Sequence, residues 1–141
     1  MEQPSTITVR VRYAETDQMG VVYHSNYFIW FEMGRVECLR QLGFDYKQME
    51  VADDCHLPVI EATCRYKAPA RYDEVLTIET RIVAARSSVI KFAYRLLRDE
   101  SGDASPLLLA EAQTTHVVVD GRMQKRTLPD KYLAAIRSQL S

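Results

Sequence analysis

An α+β fold, an antiparallel curved sheet wrapped around one long central helix, is predicted by three observations. One alternating strand precedes a helix that is apolar nearly all round, four more alternating segments follow, and the last three of these are joined by short turns. A sheet of hairpin-connected strands must bury one face, and the apolar helix is the element long enough to cover it. The composition agrees: 141 residues, 47% hydrophobic and 26% charged, match one domain over residues 1–141 that folds without disulfides or a structural metal.

Residues 6–13 place Ile7, Val9, Val11 and Tyr13 on one face and Thr6, Thr8, Arg10 and Arg12 on the other, a half-buried strand. A polar, glycine-bearing stretch then leads through Val21, Val22, Tyr23 and His24 to Ser25 and Asn26, either of which can cap a helix. Over residues 27–42, Phe28, Phe31, Cys38, Leu39 and Leu42 recur at helical spacing, while Tyr27, Trp30, Met33 and Val36 make the remaining faces apolar. Such a helix, about four turns long, is expected to be covered nearly all round. Gly43 supplies a left-handed terminal position, after which Phe44 can pack back on the last turn.

After a polar connection, strands are predicted over residues 57–66, 75–84, 89–97 and 107–119. Arg86, Ser87 and Ser88 form one turn and residues 99–103 a looser one, and Asp120-Gly121 is a tight turn into a short last strand over residues 122–126. Pro129-Asp130 opens an amphipathic helix with Tyr132, Leu133, Ile136 and Leu140 on one side. The sheet has exposed edges, and pairing edge to edge in a homodimer is the expected remedy.

Several function classes are disfavoured. Eighteen Lys and Arg against 19 Asp and Glu leave a formal net charge of -1, which removes the electrostatic case for nucleic acid as the main ligand. No window approaches the roughly 18 apolar residues of a membrane span, and the N-terminus lacks a signal-peptide layout, so no membrane partner and a cytoplasmic location are expected. Cys38, Cys55 and Cys64 fit neither a disulfide framework nor a zinc pattern and are read as reduced packing residues. His56 and His116 lie far from His24 without ligand spacing, so no metal is expected. There is no Gly-x-Ser-x-Gly elbow, and Glu32 with Arg35, three apart, reads as a local helix pair.

The informative segment is residues 13–27, YAETDQMGVVYHSNY, which sets Asp17 in a glycine-containing loop just ahead of a helix start. Free N–H groups there, with the helix dipole behind them, can stabilise an oxyanion. Thioester hydrolysis needs that, plus a group that attacks the carbonyl or activates water; the thiolate leaves readily. Asp17 and the helix start can supply both, and His24 can hold the thioester oxygen or share proton transfer. An Asp before a helix also serves as a turn or cap residue, so spacing leaves both roles open.

The run Asp17-Gln18-Met19-Gly20-Val21-Val22-Tyr23-His24-Ser25-Asn26-Tyr27 closely resembles the signature of the 4-hydroxybenzoyl-CoA thioesterase family, of the hotdog fold, and most of all its short acyl-CoA thioesterase branch. The resemblance continues through Phe31-Glu32, Arg35 and Tyr66-Lys67-Ala68-Pro69-Ala70-Arg71-Tyr72-Asp73-Glu74. It implies a homodimer with active sites at the subunit interface, often paired into a homotetramer, and hydrolysis of acyl-CoA to acid and CoA with no metal and no cofactor beyond the substrate's CoA. By the same resemblance, Asp17 is the nucleophile or the general base, and the His24 N–H is the oxyanion donor. Tyr23 and the His24 ring line the thioester, although other branches carry a different aromatic at His24, which leaves the ring's role open. Gly20 permits close backbone approach, Val22 and Tyr27 stand at substrate-binding positions, and Asn26 pins the loop or caps the helix. Arg86, Ser88 and Lys91 match the region that meets the CoA phosphates in relatives, where cations are wanted; Lys67 and Arg71 are weaker candidates. A fold of this kind also admits an acyl-carrier-protein thioesterase, a non-catalytic acyl-thioester-binding subunit or a dehydratase, and Asp17 favours the hydrolase.

Overall fold

The computed structural model describes residues 3–100, 102 and 105–140. Five strands, β1 (Ser5–Arg10), β2 (Val59–Tyr66), β3 (Val75–Arg86), β4 (Val89–Arg98) and β5 (Leu107–Val117), form one antiparallel sheet in the order β1-β3-β4-β5-β2. Helix α1 (Ser25–Gln41) packs on β1, β3 and β4, and α2 (Tyr46–Asp53) and α3 (Asp130–Arg137) are short. This is the predicted α+β architecture.

Alternation decides which side chains meet α1. Leu76, Ile78 and Ile82 of β3, Ile90, Phe92, Tyr94 and Leu96 of β4, and Ala110 and Ala112 of β5 are buried on one face, against Trp30, Phe31, Cys38 and Leu39 of the helix. The Phe31 ring stacks on Tyr94 with centroids 4.8 Å apart. Gly34 sets how closely helix and sheet approach, because a Cβ there would stand 2.5 Å from Thr80 Oγ1 and 3.1 Å from Ile78 Cγ2. The helix ends as expected: Gly43 has φ +91°, its N–H donates to the Arg40 carbonyl, and the Phe44 N–H reaches back to Leu39 at 3.0 Å.

A chain of polar groups also crosses this core. Arg35 Nη1 donates to the Tyr94 hydroxyl at 3.1 Å, Tyr94 and Thr114 hydroxyls lie 2.6 Å apart, Thr114 Oγ1 is 2.8 Å from His116 Nε2, and His116 Nδ1 is 2.9 Å from the Leu57 carbonyl. A carbonyl only accepts, so Nδ1 carries the proton and Nε2 accepts from Thr114, which in turn accepts from Tyr94. With His116 neutral, every bond thus runs in one direction. Its pKa is pushed down to about 4 by burial and by the Arg35 charge.

Several local expectations change. Helix α1 starts at Ser25 rather than Tyr27, neither Ser25 nor Asn26 caps it, and its cover is one-sided, with Ile29 and Met33 exposed. Arg35 turns inward to Tyr94 instead of pairing with Glu32, because it lies on the buried face beside Gly34. The polar connection contains α2, whose Asp45 side chain caps the Lys47 and Gln48 N–H groups; it buries only Met49, too little apolar surface to show a period. Residues 122–126 form no strand: Asp120 caps the Arg122 and Gln124 N–H groups, and a single bridge, Val119 to Lys125, follows. The first strand stops at Arg10, because residues 13–15 wind into a 3-10 turn. Residues 101 and 103 of the loose turn lie outside the described residues. At the sheet's edge, β2 is exposed along its length except at Cys64.

Candidate active site

The Asp17 loop is a closed turn. The Asp17 N–H donates to the Val21 carbonyl at 2.9 Å, and the Gly20 N–H to the Asp17 carbonyl at 3.0 Å. Gly20 adopts φ +82°, where a side chain is strained. Val21 bridges to Arg71, and the Val22 N–H donates to Ala70 at 2.8 Å, which fastens the loop to the chain leading into β3. Asp17 Oδ1 accepts from the Met19 N–H at 2.8 Å and, at the long limit of 3.5 Å, from Val21; Oδ2 has no partner among the described residues. The carboxylate thus fixes its own turn with one oxygen and leaves the other without a partner among the described residues.

Beyond the turn the chain enters α1. The Tyr23 N–H donates to the Glu15 carbonyl at 2.8 Å, while the His24 and Ser25 N–H groups have no protein acceptor among the described residues. These are the orphan donors of a helix N-terminus, with the dipole's positive end behind them. The Asn26 side chain does not cap them; its amide reaches back 2.9 Å to the Glu15 carbonyl and ties loop to helix.

Asp17, Val21, Val22, His24 and Tyr27 form one wall of a cleft of about 340 Å³, and Tyr66, Lys67, Ala68 and Pro69 form the other. Tyr66 closes it. Its hydroxyl donates to the His24 carbonyl at 3.3 Å, and its ring meets Tyr27 edge-on at 4.8 Å. Burial against this wall, then the Cys64 thiol beside it, push the Tyr66 phenol up to about 12, so it remains a donor. Tyr27 is buried and its phenol is raised for the same first reason. A separate cavity of about 250 Å³ between Ser5, Cys38, Leu42 and Thr80 offers a thiol that burial pushes up to about 11 and has no carboxylate in its lining.

The chain brings Asp17, Val22, His24 and Tyr27 together at this cleft, with Gly20 in the adjoining turn. Tyr23 is exposed, with its ring tilted against the His24 ring at 4.4 Å, outside the lining. Lys67 lines the cleft and pairs with Glu111 at 3.5 Å, whereas the Arg71 backbone serves the bridge to Val21. Arg86, Ser88 and Lys91 are not near. They sit at the β3–β4 hairpin, and Lys91 precedes by five residues Leu96, whose β5 partner Ala110 faces Tyr66. At about 3.3 Å per strand residue this puts them roughly 16 Å or more from the cleft of the same chain. The sequence alone marks no site role for Tyr66, which lines the cleft from the exposed end of β2, or for Glu15, which lies buried beneath the loop outside the lining and has no periodic signal.

Known proteins resemble this chain in sequence and in fold. Residues 11–136 match the model of the thioesterase-like superfamily. The acyl-CoA thioester hydrolase YbgC of Escherichia coli O6:H1 is 37% identical over 130 residues, covering 92% of each chain. Among solved structures, the hypothetical protein TT1821 from Thermus thermophilus superposes with a TM-score of 0.87 at 36% identity, covering 96% of this chain and 98% of that one. The 4-hydroxybenzoyl-CoA thioesterase from Pseudomonas sp. strain CBS-3 shares the fold, with a TM-score of 0.83 at 22% identity over 94% of this chain and 99% of its own.

Proposed function

The chain belongs to the thioesterase-like superfamily, and from that premise we propose that it is an acyl-CoA thioesterase whose chemistry is done at the Asp17 cleft. The observation that carries the assignment of residues is the pairing, in one cleft, of a carboxylate oxygen without a partner and a helix N-terminus with unpaired N–H groups. The thioester carbonyl oxygen lies at the His24 N–H, where charge developing on it meets an oriented donor and the helix dipole. Asp17 Oδ2 attacks the carbonyl carbon or takes a proton from a water that does. The C–S bond then breaks, CoA leaves as thiolate, and water supplies the oxygen and proton that complete the acid and thiol. Tyr66 and Tyr27 wall the acyl group, and no resident cofactor or metal takes part.

The proposed unit is a homodimer or homotetramer. An edge strand exposed on both faces, β2, supports this, since such an edge is a template for pairing. A second copy also supplies a route for Arg86, Ser88 and Lys91 to reach CoA phosphates at a neighbour's cleft. The proposed setting is the cytoplasm, consistent with three free thiols; no helix among the described residues is long and apolar enough to cross a membrane. The test is thiol release from short, long, branched and aromatic acyl-CoAs by the wild-type chain and Asp17→Asn. Release that depends on Asp17 supports the reading, and a fully active Asn variant refutes the role of Asp17.

A further inference from the structure

One residue ties the exit of β1, the Asp17 loop and the start of α1 together without lining the cleft. Glu15 ends the 3-10 turn that follows β1 and is only 4% exposed. Its Oε1 accepts from the Arg12 N–H at 2.7 Å, and its Oε2 accepts from the Trp30 indole N–H at 3.1 Å and from the Arg12 guanidinium at 3.3 Å. Its backbone carbonyl accepts from the Tyr23 N–H at 2.8 Å and from the Asn26 amide at 2.9 Å. The exit of β1, the loop and the first turns of α1 therefore converge on a single side chain and its carbonyl.

A buried carboxylate is costly unless donors meet it, and here every neighbour named is a donor. An amide of the same shape cannot replace it, because its NH₂ would face either the Arg12 N–H or the Trp30 indole N–H. Asp17 lies two residues after Glu15, and His24 follows the residue that Glu15 holds. Displacement of Glu15 thus changes the distance between the reacting carboxylate and the oxyanion donors, while the apolar walls of the cleft stay in place.

We propose that Glu15 is the positioning residue of this site: it sets the Asp17 carboxylate against the α1 N-terminus by holding Trp30, Tyr23 and Asn26 at once. The inference rests on the thioesterase reading. Trp30, the only tryptophan in the chain, provides a direct spectroscopic report on the bond. In Glu15→Gln the indole N–H resonance of the ¹⁵N-labelled protein shifts and loses protection from exchange. Turnover falls about 100-fold with KM within about threefold, the pattern of a misplaced reacting group rather than of lost binding. Adding Asp17→Asn to Glu15→Gln costs less than it does in the wild type, because the two act as one unit. A merely structural Glu15 would lower the melting temperature and leave kcat of the folded protein unchanged; that result overturns the inference and leaves the thioesterase reading standing. Wild-type protein without thiol release from any acyl-CoA overturns both, and is told apart because there is then no turnover for Glu15→Gln to lower. Should Glu15→Gln not fold, Trp30→Phe and Asn26→Ala each remove one bond. Each is expected to lower kcat by about three- to tenfold at unchanged KM, and unchanged kcat in both overturns the inference.

Discussion

Along α1 lie two buried polar networks with different ends. Near the N-terminus, Glu15 gathers donors from β1, the loop and the helix, and what it holds in place, Asp17 and the helix start, stays open to a cleft. Near the middle, the chain from Arg35 through Tyr94, Thr114 and His116 to the Leu57 carbonyl is enclosed, and none of its members lines that cleft. Both pair buried groups by hydrogen bonds, although the second leaves Arg35 Nε without a partner among the described residues. In the proposed reaction the first fixes the attacking carboxylate beside its oxyanion donors, whereas the second fixes where the helix sits on the sheet. Turnover and stability are therefore expected to separate between the two regions.

The largest effect expected is on turnover. Asp17→Asn keeps an oxygen able to accept the Met19 N–H, so the turn survives, but it removes the carboxylate. Its kcat is expected to fall about 10³-fold, within the range of general-base contributions, with a melting temperature changed by less than about 3 °C. Steady-state thiol release and thermal unfolding check this, and an equal loss of stability would merge the two regions into one.

Next in size is the pH dependence of the enclosed network. The His116 pKa of about 4 lies below the ordinary 6.5, so between these values the unfolded chain binds a proton that the folded chain refuses. Stability is full above about pH 6.5 and declines as the pH falls toward about 4, by about 3 kcal/mol in all. In His116→Gln the amide can donate to Leu57 and accept from Thr114 but cannot titrate. Urea unfolding of both proteins across this window should show a flatter profile for the variant; parallel profiles would acquit His116.

A smaller loss tests the same region without charge. Gly34→Ala drives a methyl against Thr80 Oγ1 and Ile78 Cγ2 and should cost about 2 kcal/mol, as overpacking does. Thr80→Ala in the same chain removes the nearer of the two atoms and should recover part of it. Per folded molecule, kcat is expected to stay at the wild-type value. A drop in kcat at full folding would mean that the helix seat reaches the cleft.

The two regions also differed in legibility. The sheet, α1 and its Gly43 ending could be read because apolar periodicity records burial directly. Asp17 and His24 could be read because loop chemistry and helix entry leave local marks in a short stretch. Glu15 and Arg35 could not: both are charged residues whose burial depends on donors and acceptors distant in sequence, such as Trp30 and Tyr94. Helix α2 was missed because it buries only Met49. The placement of Arg86, Ser88 and Lys91 at the far end of the sheet follows from strand register, which alternation alone does not fix across long connections.

The smallest effect expected is that of the His24 ring, which can be separated from the His24 backbone. The ring lies beside Tyr23 at 4.4 Å and edge-on to Tyr66 at 6.3 Å, but the group placed at the oxyanion is the N–H. His24→Ala keeps that N–H and should lower kcat less than about tenfold. His24→Pro removes it, and the native φ of -56° already suits a proline ring. No acceptor among the described residues loses a bond when this N–H disappears, so stability has little reason to change. Loss of a single oxyanion donor costs about 100- to 1000-fold in kcat, and the proline variant should approach that while the alanine variant does not. If alanine is the more damaging of the two, the ring carries the proton or the oxygen, and the helix N-terminus gives up its role in the reaction.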